Sequence, residues 1–318
     1  MKYVAAISLI LTFAFFASDI TFAQQTDGLK IAFNVLEDQK ADNYDVYVMG
    51  IDGSASKNIT NHKDVAWTYY AWQNKLYFVS DRDACRRCYF LYESDANGIN
   101  IRKVSNLQLE DSWMGTRKNG GEMIVAGRIG TTLRYQLFVI ETATGHFRQL
   151  TNELAAAFRD PTFSPDGKKI AYVYKKNRTD RSEIEEMYIM DADGSNRRKL
   201  TTYPANDPLA KDPDYKVGPP QWNSKYKFIS YISNQNGQQS IYAVTPDGKK
   251  HWKLTANKFA EGWHDWSPDG EWLAFDLRDE TTGRYDIYLM NYKTKQLKKL
   301  TVESPKKYHQ SPVFVGSR

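Results

Sequence analysis

The chain has 318 residues, with 43 Lys and Arg against 38 Asp and Glu and a formal net charge of +5. Its cations are spread along the sequence, so the basic stripe that a nucleic-acid-binding protein needs is not written into it. After residue 23 no segment is apolar enough to span a bilayer. Aromatic residues make up 14% of the chain, as flat sheets packed face to face require.

Residues 1–23 read as a secretory leader: Lys2 supplies the positive start, Val4 to Ala17 is an apolar run too short to cross a membrane, and Thr21-Phe22-Ala23 is a small-x-small cleavage site. Cleavage there would leave 24–318 as the mature chain, exported to the periplasm or secreted, with no membrane span. The next readable element is Leu29-Lys-Ile-Ala-Phe33, a strand rich in β-formers. Cys85 and Cys88 follow in Asp83-Ala-Cys85-Arg-Arg-Cys88. In an exported chain they are expected to form a disulfide across a small loop. A redox pair is the alternative, because Arg86 and Arg87 favour a thiolate.

The fullest unit lies at Pro161 to Thr201. Phe163 closes a first strand, Ser164-Pro165-Asp166-Gly167 is a tight turn, and Ile170-Ala171-Tyr172 opens a second strand. Met187 to Met190 is a third strand, Asp193-Gly194 a second turn, and Arg198 to Thr201 a fourth strand. The stretch at Asn119-Gly120-Gly121 and Met123 to Ala126 is the most degenerate copy. A long Pro-rich connection runs from Thr202 to Pro220, and Trp266-Ser-Pro-Asp-Gly270 repeats the motif closely.

The third-strand aromatic recurs at Tyr47, Tyr92, Phe138, Tyr188, Tyr242 and Tyr288. Thirteen residues after each stands a hydroxyl residue: Thr60, Ser105, Thr151, Thr201, Thr255 and Thr301. Successive copies lie 45, 46, 50, 54 and 46 residues apart. A fixed hairpin with variable joints at this period predicts an all-β, six-bladed β-propeller of four-stranded antiparallel blades. The first copy lacks its first strand, and Ser311-Pro-Val-Phe314 matches Asp160-Pro-Thr-Phe163. The C-terminal strand is therefore expected to pair inside the first blade and close the ring. A ring of six blades uses the whole of 24–318 as one domain, and needs no second chain, so a monomer is expected.

These repeats resemble the WD-like repeats of the TolB-type propeller family over nearly all of 28–315, most specifically at 160–201 and 262–301. The resemblance implies a bacterial periplasmic or secreted protein. Similar blades serve the Tol–Pal envelope system, form the non-catalytic propellers of prolyl-oligopeptidase-type peptidases, and build the core of oligogalacturonate lyases. Family members of the Tol–Pal type carry an α/β domain ahead of the propeller, whereas here the first blade strand starts within a few residues of the cleavage site. No Gly-x-Ser-x-Gly nucleophile elbow occurs, and the chain has five His.

By register with Asp160, the residues leading into the first strands ring one mouth of the central channel. They are Asp64, Asp111, Arg159, Asp160, Trp263 and His264, with His309 before the closing strand. Carboxylates, an Arg, a Trp and two His suit recognition of a periplasmic or extracellular protein or peptide; the competing reading has Asp111 and Asp160 capping the backbone of the neighbouring blade and His264 and His309 as hydrogen-bonded structural residues. The alternative is a carbohydrate-active lyase or hydrolase acting on a glycan at the same mouth. His62, His264 and His309 share no short ligand spacing, so neither a metal nor a cofactor is expected.

Overall fold

The computed structural model describes residues 28–210, 216–255, 259–302 and 304–316. The leader expected at 1–23 lies outside the described residues. The described strands form six antiparallel sheets, each built outward from the channel, arranged as a six-bladed propeller. No helix long and apolar enough to cross a membrane is present among the described residues.

The fourth blade shows why the repeat folds this way. Its strands are Ala157–Phe163, Lys169–Lys175, Glu186–Asp191 and Arg198–Lys199. Alternation puts successive side chains of the second strand on opposite faces. Ile170 and Tyr172 pack against Ile124 and Val139 of blade three. Ala171 and Val173 pack against Ile229 and Tyr231 of blade five. Both faces are apolar, so the core is a set of blade-to-blade seams. The fourth strands are shorter than the sequence suggests, only two or three residues in each blade.

The thirteen-residue interval is a hydrogen-bond clasp. The Thr301 hydroxyl accepts the Ile287 N–H at 3.1 Å and donates to Asp286 at 2.8 Å. Thr60 does the same with Val46 and Asp45, Thr151 with Leu137 and Gln136, and Thr201 with Met187 and Glu186. In each case the clasped residues lie one and two positions before the aromatic. Blade five has Ser240 at the acid position, and Glu261 of blade six reaches back to hold Thr255 and the Ile241 N–H. Blade two lacks the acid, and Ser105 turns instead to the Gly145 carbonyl at 2.7 Å.

The glycines in the turns between third and fourth strands also serve the seams. A Cβ on Gly53, Gly98 or Gly145 would stand 2.6, 2.3 or 2.2 Å from the carbonyl oxygen of Leu300, Ile59 or Val104. Each of those residues directly precedes the repeat's hydroxyl residue, Thr301, Thr60 or Ser105, in the preceding blade. Glycine is needed there for close approach as much as for its positive φ.

The ring closes as expected. The strand His309–Val315 pairs antiparallel with Lys30–Asp38, Ile31 opposite Phe314 and Ala32 opposite Val313. Phe314 joins Phe33, Met49, Trp272 and Leu289 in the seam between blades one and six.

Two outcomes test this account. Deleting 308–318 removes Val313, Phe314 and Val315 from the seams. At about 1.5–3 kcal/mol per buried side chain and roughly 2–4 °C per kcal/mol, thermal unfolding should fall by at least 10 °C. An unchanged midpoint would refute the closure. Thr301→Val leaves the buried Ile287 N–H unpaired, while Asp286 keeps Arg284 and Lys299, a loss of about 1–3 kcal/mol. Ser105→Ala, which removes a donor to the Gly145 carbonyl and only a long 3.3 Å acceptor for the Leu107 N–H, should be milder in the same denaturant titration.

Candidate functional site

The mouth is framed by the starts of the inner strands. Five aromatic rings run across it from four blades: Trp263 of blade six, Tyr44 of blade one, Trp67 and Tyr69 of blade two, and Trp113 of blade three. Trp67 stands 4.3 Å from Tyr44, 6.4 Å from Trp263 in an edge-on pose, and 6.1 Å from Tyr69. Tyr69 stands 5.2 Å from Trp113. Tyr44, Trp67 and Trp263 are half-buried, and Tyr69 and Trp113 are buried behind them.

Beside the rings lies a charged arc. Blade three's inner strand is broken into Gln108–Leu109 and Gly115–Arg117, and the break carries Asp111. Asp111 is open to solvent yet enclosed by the blades around it, and it accepts the Tyr69 hydroxyl. That enclosure raises its carboxyl above the usual range, while the Tyr69 hydrogen bond and the Arg87 and Arg159 charges pull the other way. Arg159 is paired with Glu185, and Arg134 makes a bidentate pair with Glu110 at 2.8 and 2.9 Å. Asp64 is half-buried beside His62, 3.4 Å away.

The two cysteines contribute to this arc. Cys85 and Cys88 are joined as a disulfide with Cα atoms 5.1 Å apart. Asp81 accepts the Arg87 N–H at 2.7 Å and the Val65 N–H at 3.0 Å, tying the Cys loop to the start of blade two's inner strand. Arg87 is thereby held at the mouth, paired with Asp42 of blade one and donating to the Tyr89 hydroxyl.

Three of the residues read from the sequence as mouth residues turn into the wall. The Asp160 carboxylate accepts the Trp113 N–H at 3.0 Å and the Ser112 hydroxyl at 3.2 Å, fastening blade four to blade three. His264 is 2% exposed, with Nε2 2.7 Å from the Ser230 hydroxyl of blade five. Burial lowers its pKa to about 3, so it is neutral. His309 is buried between the Tyr285 carbonyl and the Ser304 hydroxyl, at 3.0 and 2.7 Å. Among the described residues no three His, Cys, Asp or Glu side chains converge as a metal ion would require.

Trp67, Tyr44, Tyr69, Trp113 and Arg87 were not picked out by register. Trp67 had a usable cue. It pairs opposite Val79 as Arg159 pairs opposite Val173, at the same position of the second strand. A bulge after it in each inner strand shifts the count and hides the match.

A protein family described as TolB beta propeller domain matches residues 14–205. The chain belongs to that family. The Tol-Pal system protein TolB of Francisella tularensis subsp. mediasiatica is 29% identical over 135 residues, which is 42% of this chain and 29% of the relative. The chain thus matches less than a third of that relative's length. The crystal structure of TolB from Acinetobacter baumannii superposes with a TM-score of 0.71 at 15% identity, covering 98% of this chain and 73% of that one. An oligogalacturonate lyase in complex with manganese superposes with a TM-score of 0.54 at 14% identity, over 85% of this chain and 78% of the lyase. At such identities the likeness extends to the fold alone.

Within this TolB-family ring the last blade holds the closing strand by two carboxylates. Asp276 accepts the Ser311 N–H at 2.8 Å and Asp265 accepts the Phe314 N–H at 2.8 Å. Ser311 and Asp160 occupy matching left-handed positions, φ 53° and 52°, and in each the N–H is held by a side chain of the preceding blade. Burial pushes both Asp265 and Asp276 up to about 7. A carboxyl whose folded pKa exceeds the unfolded value of about 3.9 stabilises fully below that value, and the contribution is lost as pH rises towards 7. Asn34 stands at the matching position of blade one and holds the Thr68 N–H at 2.7 Å, so an amide serves this role. Asp276→Asn should therefore gain on the parent as pH rises from 4 to 8, by a few kcal/mol at about 1.4 kcal/mol per pKa unit. A difference in unfolding free energy that stays flat with pH would show that Asp276 is not buried as an acid.

Proposed function

We propose that this chain is an exported binding propeller of the bacterial envelope, whose mouth takes a segment of a partner protein without chemical turnover. The observation that carries the reading is the mouth itself: half-buried Tyr44, Trp67 and Trp263 beside the solvent-open Asp111 carboxylate and the Arg87 and Arg159 side chains. Trp, Tyr and Arg in one partly desolvated cluster are the residue types that dominate protein–protein binding energy. They also combine apolar area with directional donors, which suits an extended peptide better than a flat apolar face. Similarity to Tol-Pal system proteins supports a periplasmic location, and the expected leader supports export.

In this reading the site residues are Asp64, Asp111, Arg159 and Trp263, joined by Tyr44, Trp67 and Arg87. Asp160, His264 and His309 act behind them, setting the angle of the inner strands. Glycan turnover at the same mouth has its support in likeness of fold to the manganese-bound lyase alone.

The test uses residues 24–318 as bait in periplasmic extract from the source, beside Trp67→Ala, Trp263→Ala and Asp111→Asn. A partner captured by the parent is then titrated against each variant. Loss of a central aromatic anchor should weaken binding by about thirtyfold or more, corresponding to at least 2 kcal/mol. Equal affinity for the parent and all three folded variants would move the partner away from the mouth. Release of unsaturated sugar from pectic substrate would instead favour the lyase reading.

A further inference from the structure

The charge of the chain is not evenly distributed once folded. On blades four to six, the hairpins joining third to fourth strands, with the fourth strands themselves, lie on the face and rim away from the mouth. Segments 191–199, 245–253 and 291–299 there hold three, three and four Lys or Arg, against two, one and no carboxylates. At the mouth end of the same blades, 176–185 and 279–284 hold three and one cations against three and two carboxylates. Arg197, Arg198, Lys199, Lys249, Lys250, Lys253, Lys293 and Lys295 are all exposed. Lys199, Lys250, Lys253 and Lys293 make no ion pair among the described residues.

Guarding of edge strands accounts for only part of this. A cation on an outermost strand blocks edge-to-edge pairing, and Lys199 and Lys253 stand on such strands. Lys249, Lys250, Lys293 and Lys295 stand in turns, where there is no edge to guard. The cationic segments also meet in space: the Arg198 guanidinium donates to the Pro246 carbonyl of the next hairpin. Aromatic rings are interleaved with them. The Tyr226 and Tyr292 rings meet at a tilt with centroids 4.7 Å apart, with Lys295 Nζ 4.1 Å from the Tyr292 ring, and Trp252 is half-buried between Lys250 and Lys253 in sequence. Between blades four and five opens a cleft of about 550 Å³ with Lys199, His251 and Lys253 along its walls.

We propose that this face of blades four to six docks the propeller on an anionic lipid bilayer, with phosphate headgroups meeting the hairpin lysines. Three hairpin tips from adjacent blades form a broad array rather than a groove, which fits a planar anionic surface better than a single threaded polymer. Tyr and Trp beside Lys are the residues that settle at a bilayer's headgroup level. Docked this way, the mouth faces away from the lipid and stays open to a partner. The proposal is independent of what the mouth binds.

The test is flotation of residues 24–318 with phosphatidylcholine vesicles, with and without phosphatidylglycerol, since the apolar leader would itself enter lipid. Binding is expected only with the anionic lipid, and should weaken with salt. Each lysine at an anionic surface is worth about fivefold in partition, so Lys250→Glu/Lys253→Glu/Lys293→Glu should lose on the order of a hundredfold or more. Lys→Gln at the same three positions should lose less, and Trp263→Ala should float like the parent. Equal binding to both vesicle types, no binding at low salt, or a folded triple variant that floats like the parent would each overturn the proposal. Retention on heparin without vesicle binding would overturn it in favour of a soluble polyanion.

Discussion

A four-stranded sheet that is apolar on both faces cannot persist alone, and everything else in this molecule follows from that constraint. Ile170 and Tyr172 need blade three, while Ala171 and Val173 need blade five. No blade is terminal, so the chain must return on itself. It does so by donating its last strand to its first sheet, which places Phe314 in the final seam. Because each seam borrows from two blades, loss of one strand is felt around the ring.

The polar groups are arranged to the same end. The threonine clasps close blades one, three, four and six internally, pinning the start of the third strand to the end of the fourth. A second set spans blades: Asn34 to Thr68, Ser112 to Asp160, Asp276 to Ser311. These bonds satisfy inner-strand N–H groups that the bulges remove from the ladder. The same bulges aim Trp67, Tyr69 and Trp263 at the mouth. The aromatic cluster is therefore a by-product of how the inner strands are fastened, which is why acids and histidines at those positions divide between the wall and the channel end.

How far the candidate site was legible depends on which residue is asked about. Asp111 and Trp263 were found by register and lie in the aromatic cluster, Asp111 accepting the Tyr69 hydroxyl and Trp263 meeting Trp67 edge-on. Asp160 and His264 were found by the same register and face a neighbouring blade, because a bulge of one residue reverses the face that a side chain occupies. Trp67 and Tyr44 carry no motif at all. The cluster forms only when blades one, two and six come together, Trp67 lying 23 positions from Tyr44 and 196 from Trp263 in the sequence, which no local pattern encodes.

The sequence by itself determined the architecture. A strict thirteen-residue interval between an aromatic and a hydroxyl, repeated six times, is a local hydrogen-bond geometry, and local geometry is written in consecutive residues. So were the closure of the ring, matched by Ser311 to Phe314, and the Cys85–Cys88 loop. The tertiary structure alone decided which polar groups are spent on holding blades together and which remain open. It also decided where the charge lies: the cations of the outer hairpins of blades four to six look spread along the chain, but the ring sets equivalent hairpins side by side. Periodicity in sequence becomes proximity in space, and that conversion belongs to the fold.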